Sequence, residues 1–325
     1  MTEPLVSVVI VTYNSASDIR HCVEAIPAAC TASYEIVVLD NRSLDGTLQE
    51  LADLGVPATR AMDNLGFARG CNAAYQLAAP SSAFLLLLNP DAVAAPGSID
   101  VLLAAAARHH DGAVFGPRIV TPEGLLDPSC AMGRMSWWST VCFALGLSTL
   151  FSKSRWFDPE SLGRWRRDDE RKVPVIPGTM ALIRRVAWDE VGGFDQRYRM
   201  YSEDVDLCGR LRDRGWSSWL IPEASAVHRS GASSTPGGKI VLLLRGRVTY
   251  GRRAFPAPLG RLTSAFLKVG VAGRACSPSG VRNRLARRAS RPSTAQSAWQ
   301  EAWARRSEWS GGWPDPEHRK ESEEV

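Results

Sequence analysis

Apolar and polar positions fall into two repeating patterns over the first 120 residues. The run Val6-Ser-Val-Val-Ile-Val11 is β-branched and almost unbroken, so it predicts a strand buried on both faces, ending at Thr12-Tyr13-Asn14. Ser17 reads as an N-cap. Ile19, Cys22, Val23 and Ile26 follow at helical spacing, and Pro27 is expected to close the helix. Tyr34 to Leu39 predicts a second strand, ending at Asp40-Asn41. Asp45-Gly46 turns the chain into a helix over Thr47 to Leu54, and a short strand should precede Asp63. Phe67 to Ala79 carries Ala68, Cys71, Ala74, Tyr75 and Ala78 on one face and predicts a helix. Ala83 to Leu88 is the most apolar strand and ends at Asn89-Pro90-Asp91. Ile99 to His109 predicts a helix and Ala113 to Val120 a further strand.

Strands alternating with helices imply an α/β chain with a Rossmann-like, mostly parallel central sheet flanked by helices. Ligands of such sheets bind beyond the carboxyl ends of the strands. Here those ends carry Thr12, Asn14, Asp40, Asn41, Asn89 and Asp91.

The pattern then changes. Arg134 to Lys172 is rich in Trp and Arg and has no clean period. Val175 to Arg184 reads as a strand broken by Pro177-Gly178. Val186 to Val191 reads as a short helix ended by Gly192-Gly193, and Glu203 to Arg214 as a helix closed by Gly215. Trp216 to Ile221 and Ala224 to His228 read as two short extended pieces. From Lys239 to Arg291 there are 13 Lys or Arg and no acid, and the Trp-containing remainder shows no clear fold. Its end is expected to be disordered.

Composition narrows the classes. At 325 residues and 45% hydrophobic content, the chain can bury one large domain with an appendage. The seven cysteines are scattered, odd in number and without a C-x-x-C pair, which points to a reducing compartment rather than a disulfide framework. No secretory leader and no transmembrane run is read from the sequence. The net charge of +5 is mild. No nucleic-acid motif accompanies it, so no nucleic-acid partner is expected.

Five constellations could carry chemistry. Thr12-Tyr13-Asn14 with Asp40-Asn41 could meet a nucleoside, a carboxylate there accepting the N3–H of uracil or thymine; Asx residues also favour such turns. In Asn64-Leu-Gly66-Phe-Ala-Arg-Gly-Cys-Asn72, Gly66 precedes a helix whose free N–H groups favour anions, or simply makes a tight loop. Asn89-Pro90-Asp91 could hold Mg²⁺ or Mn²⁺ on a departing diphosphate, or be a plain turn. Glu203, Asp204 and Asp206 open a helix that Ser202 can cap. They either compensate its dipole or supply a general base. His228 is structural, or a metal ligand if it lies beside Asp91.

Taken in order, the segments VSVVIVTYNS, VVLDNRSLDGT, NLGFARGCNAA, LLLNPDA, GPRI, GTMALIRR, VGGFDQRYRMYSEDVDLCGRLRDRGW and AVHRSGAS resemble family 2 glycosyltransferases of the GT-A fold. The subgroup resembled is rhamnosyltransferase-like and galactofuranosyltransferase-like. The resemblance covers roughly residues 5 to 235. It implies a GT-A domain over 1–235, with a nucleotide-binding half at 1–120 and an acceptor and catalytic half at 121–235. Residues 236–325 would be a helical, basic, Trp-containing extension.

The same resemblance implies roles. Thr12, Tyr13, Asn14, Asp40 and Asn41 would line the nucleoside pocket, with Asn64, Gly66 and Asn72 on the base and ribose side. Asp91 and His228 would hold Mg²⁺ or Mn²⁺. Asn89 stands where a strict D-x-D has its first acid, which removes one charge. Gly178 and Thr179 would shape the sugar pocket. Asp204 would be the catalytic base, with Glu203 beside it. The implied reaction is inverting and non-processive, since the Gln-x-x-Arg-Trp pattern of processive synthases is absent. A sugar, rhamnose first, would pass from a dTDP- or UDP-sugar to a cell-surface glycan or lipid-linked acceptor.

The basic stretch and the Trp-rich insert Met135 to Trp165 suit an anionic membrane surface, so a peripheral place on the inner face of a bacterial plasma membrane is expected. Alternatives are an inactive carbohydrate-binding or assembly protein of the same fold and a sugar-phosphate nucleotidyltransferase. The first would have lost Asp91 or Asp204. The second needs a Gly-rich basic loop where this chain has Thr12-Tyr13-Asn14.

Overall fold

The computed structural model describes residues 5–229, 235–276 and 292–314. The expected disorder of the last residues falls on 315–325, outside the described residues, as does the 277–291 part of the basic stretch. The chain divides into two compact units that do not follow sequence order. Residues 5–133, 165–195 and 204–229 form the first; 134–164, 196–203 and the described residues from 235 onward form the second. The Trp-rich insert therefore groups with the C-terminal helices.

In the first unit β1 (Val6–Thr12), β2 (Tyr34–Asp40), β3 (Ala58–Arg60) and β4 (Phe84–Leu88) alternate with α1 (Ile19–Ala29), α2 (Thr47–Asp53) and α3 (Phe67–Tyr75). Next come β5 (Ala92–Ala94), α4 (Ser98–Arg108) and β6 (Gly112–Val120). β7 (Arg171–Val173), β8 (Met180–Arg184), α7 (Arg185–Val191), α8 (Glu203–Asp213, its first residue in the other unit) and β9 (Ser217–His228) complete the order. Among the described residues these strands make one nine-stranded sheet in the order β3-β2-β1-β4-β8-β6-β9-β5, with β7 on β9.

Every residue of β1 is buried, which is why its apolar run is unbroken. β1 to β4 pair in parallel, with Thr12 opposite Asp40. β8 runs antiparallel to both β4 and β6, so the sheet is mixed beyond β4. The two extended pieces expected near residue 220 are one strand, β9. It runs parallel to β6 with a register shift and antiparallel to β5, where Ala92 faces His228.

Local signals differ from expectation at several ends. Ser17 does not cap α1; its hydroxyl donates to Asp18 and the helix starts after Asp18. Pro27 lies within the last turn and does not close the helix: α1 continues to Ala29, and the Cys30 N–H still donates to Ile26 O at 3.1 Å. α3 ends four residues early, at Tyr75. Ser202 has φ 71°, whereas an N-cap residue is ordinarily extended.

The second unit is helical: α5 (Trp137–Ala144), α6 (Leu147–Leu150), α9 (Pro236–Ala254), α10 (Leu259–Cys276), α11 (Pro292–Ala304) and α12 (Arg306–Ser310). Ser136 and Ser139 cap α5 reciprocally; Thr235 caps α9 through the Gly238 N–H, with Pro236 at its first position. Val241, Leu244, Val248, Leu267, Val271, Ala302 and Trp309 form its core. Trp309 is fully buried and its indole N–H donates to Ala302 O at 2.8 Å. The Trp-containing tail, unclear in sequence, thus packs as α11 and α12. Arg247 and Glu160 pair in bidentate fashion, both bonds at 2.7 Å.

Tyr201 and Ser202, also in this unit, take φ values of 67° and 71°. Two successive non-glycine residues in the left-handed region store strain. Gly246 of α9 lies against this turn: an added Cβ would come within 2.3 Å of the Tyr201 carbonyl oxygen. No described helix is long and apolar enough to cross a membrane.

Candidate active site

Parallel pairing brings the ends of β1 and β2 together, and the side chains there brace one another. Asp40 is fully buried. It accepts from the Thr12 hydroxyl (2.9 Å), from the Ser43 N–H (2.9 Å) and from the Ser43 hydroxyl. The carboxylate expected to face a base is thus turned inward and holds the loop that follows β2. Asn14, at φ 51°, donates its N–H to Ser43 Oγ and accepts from the Leu44 N–H. Tyr13 and Asn14 are the exposed members of this end. Ser43 was not singled out from the sequence, although it ties Asp40 to Asn14. The Ser after an Asp-Asn turn was its only signal.

Asn41 bridges to the next loop. Its amide donates to Gly66 O at 3.0 Å and accepts from the Leu65 N–H at 3.3 Å, while Asn64 accepts from the Gly66 N–H. Gly66, at φ 78° and ψ −177°, makes the turn that opens α3, a conformation a side chain would oppose. Asn72, grouped with these from the sequence, does something else. Its amide donates to Phe194 O at 2.7 Å and accepts from the Phe194 N–H at 3.0 Å. It fastens α3 to the segment after α7.

β4, β5 and β9 assemble a second cluster. The antiparallel register that sets Ala92 opposite His228 leaves Asp91 one residue beyond the pair, and Arg229 N–H donates to Asp91 O. His228 Nε2 lies 3.2 Å from Asp91 Oδ2, and Nδ1 lies 3.9 Å from Asp127 Oδ2. Burial opposes charge on His228, but its bonds to Asp127 and Asp91 outweigh this and lift it to about 9. Its imidazolium in turn holds Asp127 down at about 2. Asp127 was missed from the sequence because Asp-Pro reads as a turn. It does cap the turn at 128–130, through the Ser129 N–H.

Asn89 N–H donates to Thr179 O at 2.9 Å, and its side-chain oxygen is buried without a partner. Among the described residues no three His, Cys, Asp or Glu form a metal cage.

The acids of α8 separate into different roles. Asp206 is fully buried and pairs with Arg210 at 2.6 Å, whose guanidinium also donates to Val191 O and Gly193 O. That carboxylate anchors the helix. Glu203 is buried. Asp204 is half-buried and accepts from the Val205 N–H at 2.7 Å. Withdrawal from solvent lifts its pKa to about 6, against the lowering effect of N–H bonds from Val205 and Gly178. Gly178 and Thr179 therefore join the two halves of this cluster, one bonded to Asp204 and the other to Asn89. The result is a carboxylate, Asp204, raised toward neutral pH, and a separate ion pair of Asp91 with His228.

Comparison with known proteins gives the setting. The profile of "Glycosyl transferase family 2" matches residues 7–192, and that of "Glycosyl transferase family group 2" matches 161–319. The chain is 32% identical over 246 residues to the N-acetylglucosaminyl-diphospho-decaprenol L-rhamnosyltransferase of Mycobacterium tuberculosis, covering 72% of this chain and 78% of that protein. Among solved structures it is similar to a mannosyltransferase from Pyrobaculum calidifontis in complex with GDP-Man and Mn²⁺ (TM-score 0.59, 16% identity, 94% of this chain and 88% of that one). It is also similar to GalNAc-T7 with UDP, GalNAc and Mn²⁺ (TM-score 0.51, 15% identity, 83% and 56%). At these identities the structural likenesses bear on the fold alone.

Proposed function

The chain belongs to glycosyl transferase family 2 as a rhamnosyltransferase-like enzyme of the GT-A fold, and from that premise we propose an inverting, single transfer of rhamnose from a nucleoside-diphosphate donor, dTDP first, to a lipid-linked or cell-surface glycan acceptor. The observation that carries the mechanism is Asp204, half-buried, held by backbone N–H groups and raised to about 6. A base works best when its pKa lies near the operating pH. Asp204 takes the proton of the acceptor hydroxyl as that oxygen attacks the anomeric carbon. The nucleoside diphosphate leaves from the opposite face, so no covalent sugar–enzyme intermediate is needed. Asp91 and His228 would hold a divalent cation, which supplies charge compensation to the departing diphosphate. Thr12, Tyr13, Asn14, Asp40 and Asn41 frame the nucleoside end, Asp40 from beneath.

The rhamnose and lipid-linked assignments are supported by the mycobacterial relative, whose name carries both a rhamnosyl group and a decaprenol-linked acceptor. Such an acceptor would bring the chain to a membrane surface. The test is donor binding and transfer with a panel of sugar nucleotides, with Mg²⁺ or Mn²⁺, in the wild type, Asp91→Ala and Asp204→Asn. One donor should bind with metal; Asp91→Ala should weaken it, and Asp204→Asn should keep binding while losing turnover. Absence of binding for every sugar nucleotide under every metal condition would overturn the proposal.

A further inference from the structure

Sixteen large hydrophobic side chains are exposed among the described residues, and most stand singly, as is normal for a surface. Five fall within a single 19-residue stretch of the second unit: Trp138 (45% exposed), Leu145 (63%), Leu150 (54%), Phe151 (50%) and Trp156 (78%). Two contacts tie parts of the stretch together. The Trp138 indole N–H donates to Trp156 O at 2.7 Å, and Phe151 lies 5.1 Å, ring to ring, from Phe157. The stretch is turned outward by its own packing. α5 lays its other side on α10, with Trp137 edge-on to Phe266 at 4.6 Å and Phe143 close against Gly270.

Basic residues outnumber acids around these side chains. Arg134, Lys153, Arg155 and Arg164 are exposed in the same segment. Of its two acids, Glu160 pairs with Arg247, and Asp158 accepts the Lys153 backbone N–H while keeping its charge. On α10, Arg261 is exposed, while Arg274 donates to the Phe143 carbonyl and to the hydroxyls of Ser148 and Thr149. Tryptophan with leucine and phenylalanine, flanked by the exposed basic residues Lys153 and Arg155, matches the headgroup region of a bilayer: apolar rings reach the acyl boundary and cations meet lipid phosphates. A water-facing surface gains nothing from five such side chains, and a neutral partner would leave the cations without counterpart.

We propose that Trp138, Leu145, Leu150, Phe151 and Trp156, with Lys153 and Arg155, form the face by which this protein enters the surface of an anionic phospholipid bilayer. The inference deepens the reading of a lipid-linked acceptor and rests on it. It also defines the attachment as peripheral, since no described helix can span.

The test is flotation of the full-length protein with vesicles of phosphatidylcholine alone or with phosphatidylglycerol added, across salt concentrations. Binding should require phosphatidylglycerol and weaken with salt. Lys153→Ala with Arg155→Ala should weaken it about 25-fold, about five-fold per basic residue. Phe151→Ser with Trp156→Ser should weaken it at least about tenfold even at low salt. In both double variants, transfer to a water-soluble acceptor analogue should be unchanged. Equal binding to both vesicle types, binding unmoved by either double variant, or no binding at all would overturn the surface while leaving the transferase reading intact. So would light scattering that shows a dimer abolished by the same substitutions, which would assign the face to a second copy. Vesicle binding as expected, in a protein that turns over no sugar nucleotide, would keep the surface and sink the transferase reading instead.

Discussion

Asp204 allows a prediction in which function and stability move in opposite directions. An aspartate whose pKa is raised in the folded state binds its proton more tightly there than in the unfolded chain. Between the unfolded value near 4 and the folded value of about 6, the native state carries the extra proton. Stability therefore falls as pH rises through that window, and above it the cost of an ionised Asp204 is fully present. A shift of about two units at about 1.4 kcal/mol per unit sets a ceiling on the order of 3 kcal/mol. Asp204 keeps a partial opening to solvent, and screening there reduces the cost to about 1–2 kcal/mol. Asp204→Asn removes the charge and keeps an acceptor for the Val205 and Gly178 N–H groups. The variant should be more stable than the wild type by about 1–2 kcal/mol at pH 8, with the advantage gone near pH 4. Turnover should drop about 10²–10⁴-fold, the usual worth of a general base. Urea unfolding of both proteins at pH 4, 6 and 8, beside single-turnover transfer, measures both effects. A variant equally or less stable at pH 8, with no change in the difference at pH 4, would refute the reasoning about burial. Retained turnover would refute the assignment of the base.

Three further outcomes are expected. Asp91→Ala should weaken metal-dependent donor binding at least about tenfold, read by titration calorimetry with and without Mn²⁺, and leave metal-free binding unchanged. Because His228 sits at about 9 between two carboxylates, it must lose a proton to serve as a metal ligand. Metal affinity should therefore climb with pH up to about 9 with release of a proton, measurable from binding heats in buffers of different ionisation enthalpy; a flat profile from pH 6 to 9 would remove His228 from the site. Trp309→Ala should cost about 3–5 kcal/mol in the second unit, as for other buried aromatic truncations, seen as an earlier thermal transition.

β1, β2 and β4 were legible because each holds a dense apolar run buried in the sheet, whereas β3, Ala-Thr-Arg and largely exposed, was placed only by the turn signals around it. The direction of β8 was not legible, since nothing local to Met180–Arg184 distinguishes a strand running with β4 from one running against it. The acids that open α8 were visible as a cluster, but their division was not. Asp206 became structural only through Arg210, a turn later, with two carbonyls brought up from the segment after α7. Asp127 was hidden for a related reason, because its partner His228 is a hundred residues away along the chain and arrives only when β9 returns beside β5. Asn72 shows the opposite error. A polar residue inside a motif looked like a ligand, yet its amide matches the backbone of Phe194 on both sides. The Trp-rich insert gave no period because α5 is apolar on nearly every side, its buried side meeting α10 and its other side left open.

The left-handed pair Tyr201–Ser202 bears on how a shorter version of this enzyme should be cut. A fragment ending at the last recognisable motif, near residue 235, would keep every residue assigned to donor, metal and base. It would also lose α9, and with it the bare backbone of Gly246 that lies against the turn next to Glu203 and Asp204. Without that buttress, two residues with unfavourable dihedrals are free to relax toward ordinary ones, and the chain would enter α8 along a different path. Such a truncation is expected to yield a protein that still grips its donor but works as a poor catalyst, so domain boundaries drawn from motif matches alone would discard part of the machine.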